Sequence, residues 1–401
     1  MRILLSEGSG LTSRQVATRL GELGHEVEIL SSTPLCLSRF TRHVRRIHPV
    51  PPFGREPVRW FEAARTIARE RRIDVLFPTQ EQVAVLSAMR SALSVATVVP
   101  PFRSLCRVQD KISAYRTLHD LSIPQPASFV AKDVADLRRV EQFPIFLKRP
   151  ISTASMGVRK VSSRDELEGV AKSVGLSVGE ILVQTPVLGE LAMVQAVADD
   201  GRLVAHHACL RVRQGTGGGA AIKESVNIPG LAAHVEKLVD ALGWHGPLSM
   251  DVIVTSDGPV VIDINPRLVE PMNAYRSGVD LVGAVLDLAC QRHPPTQPAG
   301  RARVRTRQLL LAVLGAAERE GSRIAIAREF IMALRQSDEY ANAPEELTPV
   351  AGDWIAAVPV AAAALATIAW PAAWQWFHSG AVDTYSLTPE AWQHIRRVAL
   401  A

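Results

Sequence analysis

A chain of 401 residues, 47% hydrophobic and 21% charged, is long enough for about two or three domains with real cores. Its formal charge of +5 comes from scattered arginines, and with 5% aromatic residues no interleaved basic and aromatic surface emerges, which argues against a nucleic-acid partner; phosphorylated small molecules explain the excess charge equally well. Cys36, Cys106, Cys209 and Cys290 lie far apart without a CxxC pair, so neither a disulfide framework nor a zinc site is suggested and a reducing, cytoplasmic setting is the simplest expectation.

The opening MRILLSEGSG lacks the apolar core of a secretory signal and reads as a first strand. Residues 1–104 then alternate: a helix over Ser13–Leu23, the strand HEVEILSS, a helix over Trp60–Arg71, and the strand IDVLFPT. This βαβ rhythm predicts a parallel, Rossmann-like α/β sheet. The turn Ser6–Gly10 stands where a nucleotide-binding turn would lie, but SEGSGLTS lacks GxGxxG spacing, so a nicotinamide-binding reading is the weaker one. The basic patch Arg39–Arg46 reads as a solvated helix face. Thr79, Gln80 and Glu81 follow a strand and fall at the sheet's carboxyl edge, a place for substrate contact.

From residue 105 to 293 the pattern is α+β. Ile112, Tyr115, Leu118 and Leu121 form a helical stripe ended by Ile123-Pro124. FPIFLKRP and GVRKV bracket the loop Ile151–Met156, followed by a helix over Asp165–Ser173 and a strand over Glu180–Thr185. Four antiparallel-looking strands come next, interrupted by a glycine-rich loop and a helix over Leu231–Leu242. The break HPPTQPAGRARVR marks a boundary near Pro294, and residues 294–401 read as mostly helical. Within them Ile355–Trp374 is the most apolar stretch of the chain, long enough for a bilayer yet interrupted by Pro359 and Pro371 and built largely of alanine. A buried or interface helix is the leading expectation there; residues 355–376 are also the candidate for membrane contact, which would make the protein cytoplasmic and peripheral.

The segment LSMDVIVTSDGPVVIDINPR predicts two strands around a Ser-Asp-Gly-Pro turn. Paired antiparallel, they set Asp251 opposite Asp263, and Asn265, two residues on, shares that face. Two carboxylates and an amide oxygen suit a hard divalent cation and leave room for water and phosphate oxygens. The competing reading is that Asp263 and Asn265 merely terminate a buried strand and that Asp251 is a solvated strand residue.

Five ordered elements between Asp110 and Arg267 resemble the ATP-grasp superfamily of carboxylate–amine ligases. The first is Asp110-Lys111 with the turn Ser122-Ile123-Pro124-Gln125-Pro126, where the family usually has glycine at the serine. The second is Phe143–Pro150 with Lys148 ending an apolar strand, followed by a loop that holds Ser155 and Gly157. The third is Ile181–Glu190, like the family's hinge strand. The fourth is Arg211-Val212-Arg213 with QGTGGGAA and Lys223-Glu224-Ser225. The fifth is the set Asp251, Asp263 and Asn265, with Arg267 beside it. Twelve positions separate the two aspartates.

The resemblance implies a two-lobed ATP-grasp core that binds ATP and Mg2+, with Mn2+ as an alternative ion. It assigns nucleotide contacts to Lys111, Lys148, Ser155, Gly157, Gln184, Val187 and Glu190, metal ligation to Asp251, Asp263 and Asn265, and charge stabilisation to Lys148, Arg213 and Arg267. Arg211, Glu224, Glu270 and Asn273 are the substrate candidates. The implied reaction joins a small-molecule carboxylate to an amine through an acyl phosphate, releasing ADP and phosphate. A bicarbonate-phosphorylating carboxylase or carbamoyl-phosphate-type enzyme is the alternative within enzymes, and a silent nucleotide-binding regulator the alternative outside them. The oligomeric state is not legible.

Overall fold

The structure is a computed structural model that describes residues 1–153 and 156–400. The first region contains β1 (Arg2–Leu5), α1 (Leu11–Glu22), β2 (Glu26–Ser31), β3 (Val44–Pro49), α2 (Pro57–Glu70), β4 (Val75–Phe77), α3 (Val83–Ala88) and α4 (Phe102–Cys106). Its four strands run parallel in the order β3-β2-β1-β4. Ile3, Leu5, Val27, Ile29 and Phe77 are fully or almost fully buried, as strands covered on both faces require. The expected solvated helix over Arg39–Arg46 is not formed: a single turn at Leu37–Arg39 leads into β3 at the sheet edge. Pairing with β2 overrides the helical reading, and charged side chains suit an edge strand.

The middle region has two lobes. The smaller one holds α5 (Lys111–Asp120), β5 (Ser128–Ala131), β6 (Ile145–Lys148), β7 (Val158–Val161), α6 (Arg164–Val174) and β8 (Ile181–Gln184), with an antiparallel sheet in the order β5-β8-β6-β7. Asp110 caps α5 by accepting from the N–H groups of Ile112 and Ser113, and Ser163 with Glu166 forms a capping box on α6. One face of α6 brings Leu167, Ala171 and Val174 onto Ile145, Leu147 and Val183. The larger lobe holds β9 (Glu190–Asp199), β10 (Arg202–Gln214), β11 (Ala220–Ser225), α7 (Leu231–Leu242), β12 (Gly246–Thr255), β13 (Gly258–Asn265), α8 (Met272–Ser277) and α9 (Leu281–Ala289).

The final region contributes β14 (Arg305–Arg307) to the larger lobe, completing an antiparallel sheet in the order β13-β12-β9-β10-β11-β14. The sheet of the larger lobe therefore takes its edge strand from beyond the break at Pro294. Five helices follow: α10 (Leu309–Glu320), α11 (Arg323–Arg335), α12 (Ala357–Ala369), α13 (Trp374–Tyr385) and α14 (Pro389–Leu400). They close over both earlier regions rather than hang from them. Buried Arg14 of α1 meets Asp353 at 3.4 Å, and Trp392 of α14 lies 5.8 Å from Phe102, ring centre to ring centre. Among the described residues no helix is long and apolar enough to cross a membrane. The apolar run at 355–374 is broken at Trp370, where the backbone is extended, so it forms α12 and the start of α13.

Candidate functional site

The turn after β1 is filled from within. Glu7 accepts from the backbone N–H of Ser9 and, at 2.7 Å, from that of Gly10, so its carboxylate occupies the place of an anion at the start of α1. Burial lifts its pKa above the usual carboxylate range despite those donors. The N–H groups of Ser9 and Gly10 are thus already taken by the chain's own carboxylate.

The opposite situation holds where the two lobes meet. β12 and β13 pair antiparallel with Asp251 opposite Asp263 and Ser249 opposite Asn265, the register the turn chemistry predicts. Lys111, at the start of α5, places Nζ 2.5 Å from Asp263 Oδ2. Lys148 ends β6 in the smaller lobe, reaches across the gap, and donates from Nζ to the Ile262 carbonyl at 2.8 Å. Two lysines from one lobe thus converge on the acidic strand ends of the other.

The charges here are incompletely balanced. Burial raises the Asp251 pKa and neighbouring Asp263 adds to the effect, together pushing it to about 6 against the pull of Lys111, Lys148 and Arg267. Burial also lifts Asp263, but Lys111 and Lys148 outweigh it and hold that carboxyl below its usual range. Burial lowers Lys148 to about 8, with Lys111 adding to the fall and Asp263 resisting it. Asn265, Lys111, Ser152 and Thr153 line one recess together with Glu81 and Gln109, and Leu387 closes it from the final region.

The described ends of the loop after β6 come together, with the Arg149 N–H donating to the Gly157 carbonyl at 2.8 Å. A Cβ on Gly157 would stand 2.4 Å from the Cβ of Ser152, so only glycine fits this approach. Ser155 lies outside the described residues. In the hinge, buried Gln184 donates to Ser128 Oγ at 3.3 Å, Val187 is half-buried, and Glu190 is exposed at the start of β9. Gly189, with φ +153°, passes so close to β12 that a Cβ would meet the Val254 carbonyl at 2.3 Å. Glu190 pairs with Val254 and Met193 with Asp251, which sets Glu190 about 10 Å along the ladder from the acids.

The other candidates divide. Arg267 is buried and donates from Nε to Glu81 Oε1 at 3.1 Å, while Gln109 holds the other oxygen of Glu81 at 3.3 Å. Arg211 stays in the neighbourhood of the acids: burial lowers its pKa, the Asp251 charge opposes that shift, and its Nη1 donates to the Gly218 carbonyl at 2.7 Å. Arg213 is elsewhere, forked onto Glu329 of α11 at 2.5 and 2.6 Å and onto Glu339 at 2.7 Å. Glu224 pairs with Arg305. Glu270 accepts from buried Lys223 at 2.5 Å, and Asn273 joins His207 and Thr306, each at 2.8 Å. The structure therefore gathers Lys111, Lys148, Asp251, Asp263, Asn265, Arg267 and Arg211 at one junction. Arg213, Glu224, Glu270 and Asn273 are occupied in ties between elements.

Leu387 and Tyr385 at this junction escape sequence reasoning, since they arrive from the far end of the chain. Burial raises the Tyr385 pKa, and the groups whose charges reach it are Arg267, Glu7, Glu81 and Glu270.

Residues 108–271 match the family model described as ATP-grasp domain. No curated protein matches the chain. Among solved structures, the chain is similar to the N5-carboxyaminoimidazole synthetase of Staphylococcus aureus complexed with ADP, at 13% identity and a TM-score of 0.63, covering 80% of this chain and 85% of that one. The biotin carboxylase of Campylobacter jejuni in its β-γ-ATP complex gives 15% and 0.61, covering 76% and 74%. The L-amino acid ligase of Bacillus licheniformis gives 18% and 0.57, covering 73% and 75%.

Proposed function

We propose, from the premise that residues 108–271 of this chain are an ATP-grasp domain, that the protein is an ATP-dependent carboxylate–amine ligase. The reading rests on one observation: Asp251 faces Asp263 across a strand pair while Lys111 and Lys148 approach from the opposite lobe. ATP transfers its γ-phosphoryl group to a carboxylate, leaving ADP; an amine then attacks the acyl carbon, and phosphate departs as the new C–N bond forms. Such chemistry asks mainly for positioning and charge neutralisation.

The donor set fits magnesium. Two carboxylates and the Asn265 amide oxygen are hard oxygen ligands, and the ammonium group of Lys111 already rests on Asp263, so this position is built for positive charge. When bound, Mg2+ would neutralise charge on the phosphates and hold them in line for transfer. Lys148 and Lys111 would hold phosphate oxygens as point charges, and Lys111, now on Asp263, is the group that a cation bound there would displace. Glu190 accepts from ribose hydroxyls, and the backbone between Gln184 and Val187 reads the base. Arg267, held by Glu81, and Arg211 are the cations for the carboxylate and the transferring group; Arg213 carries no chemical role in this proposal. Ser152 and Thr153, which line the recess, would help to exclude water from the acyl phosphate.

A panel of carboxylic acids and amines incubated with Mg-ATP tests the reading. ADP and phosphate appearing together with a conjugate lighter than its two parts by one water supports it. AMP with pyrophosphate would overturn it, and ADP released on bicarbonate alone would replace it with the carboxylase reading.

A further inference from the structure

We propose that the outward face of α12, with the tryptophans at its edges, seats this protein on an anionic membrane surface, lying in the plane of the interface. From Trp354 to Val382 the chain carries no Asp, Glu, Lys or Arg. α12 faces its helical neighbours with Val360, Ala363 and Ala364, and its opposite side is exposed: Val358, Leu365 and Ile368 follow one another at helical spacing, with Leu365 70% exposed. The only polar side chain of α12, Thr367, is fully buried and donates to the Ala363 carbonyl at 2.7 Å. The outward face therefore offers no hydrogen-bonding side chain at all.

That chemistry selects the occupant. A protein interface of useful size carries roughly one hydrogen bond per 100–200 Å2, whereas the acyl region of a bilayer asks for none. Tryptophan sits where the two meet, because its ring is apolar and its N–H polar. Trp354 and Trp376 are 76% and 67% exposed, and Trp370 stacks edge-on against Trp376 at 4.7 Å. The neighbouring helix supplies the sign of charge. α11 exposes Ile324, Ile331 and Leu334 between the arginines Arg323, Arg328 and Arg335. Its one carboxylate, Glu329, is buried and held by Arg213. Arg323 also donates to the Ala369 carbonyl at 3.0 Å, which joins the basic helix to the end of the apolar one. Apolar side chains flanked by arginines of one sign match acyl chains under phosphate headgroups. α12 is about 20 Å long, short of the roughly 30 Å of a hydrocarbon core, so the contact lies on the surface and does not span it.

Co-sedimentation of the full chain with phosphatidylcholine vesicles, with and without 30 mol% phosphatidylglycerol, tests the proposal. The expected result is binding to the anionic vesicles, weaker by about tenfold or more on neutral ones and falling as salt is added, with a blue shift of tryptophan fluorescence. The double variant L365S/W376Q should lose binding to both vesicles, and R328Q/R335Q only the anionic preference. Both should keep the melting temperature and the ATP turnover of the parent, since these side chains are exposed and remote from the lobe junction. Absence of binding to either vesicle would overturn the proposal. So would binding unchanged in L365S/W376Q, or a concentration-dependent dimer in sedimentation velocity that this variant dissolves, which would make the face a contact between copies.

Discussion

Two clusters of lysine and carboxylate border the six-stranded sheet, and they differ in what surrounds them. At the lobe junction, Lys111 and Lys148 meet Asp251 and Asp263 beside a recess, and Asp251 forms no side-chain hydrogen bond among the described residues. Further along the same sheet, Lys223 is buried between Glu270 at 2.5 Å and Glu346 at 2.6 Å, and Gln308 and Gln15 donate to Glu346 at 2.7 and 3.2 Å. Burial by itself would lower the Lys223 pKa, but the two glutamates outweigh it and raise it. The second cluster places its lysine between two carboxylates and ties the first, middle and last regions together. The first leaves Asp251 with a raised pKa beside the recess that Lys111 and Asn265 line, and a perturbed acid next to a recess marks a candidate functional site.

Substitutions sharpen this contrast. Asp263→Asn should cost the most activity, about 10³-fold in ADP release, with the melting temperature little changed; a variant within threefold of the parent would remove Asp263 from the site. Lys223→Ala should do the reverse: it strands two buried carboxylates and costs about 3–5 kcal/mol in denaturant unfolding. Wild-type stability in that variant would contradict the structural reading. Lys148→Ala should lower turnover about 10²-fold by removing a phosphate contact.

The pH dependence follows from the same charges. Asp251 must be deprotonated to accept a cation, so with its pKa near 6 activity should fall as pH drops below that value. Lys148 must be protonated to hold phosphate, so with its pKa near 8 activity should fall as pH rises past it. The profile of kcat/KM should therefore be bell-shaped, and Lys148→Arg should move its alkaline limb upward, because a guanidinium stays charged. The smallest effect belongs to Arg213→Ala, which should leave kcat within about threefold while loosening α11; a loss near that of Lys148→Ala would return Arg213 to the chemistry.

Much of this was legible in the sequence, for local reasons. The Ser-Asp-Gly-Pro turn sets the β12–β13 register, and the register places Asp251 against Asp263. Asp110 announces the start of α5, and Leu231–Leu242 is helical with the bounds its apolar spacing implies. What escaped depends on distance along the chain. Arg213 and Arg211 share a basic motif, yet only contact with α11, more than a hundred residues on, shows that Arg213 is already held. Glu270 follows INPR like a substrate residue, and Lys223 claims it. The basic run at Arg39–Arg46 became an edge strand because β2 offers it a parallel partner, which no local spacing reveals.

The most direct test of the central claim is calorimetric titration of nucleotide into the wild type, Asp251→Asn/Asp263→Asn and Lys148→Ala, each with and without Mg2+. The account predicts Mg-ATP binding at one site in the wild type, dependence on the metal that disappears in the double aspartate variant, and an affinity at least about tenfold weaker in Lys148→Ala. Equal affinity in all three proteins, with or without the metal, would contradict it.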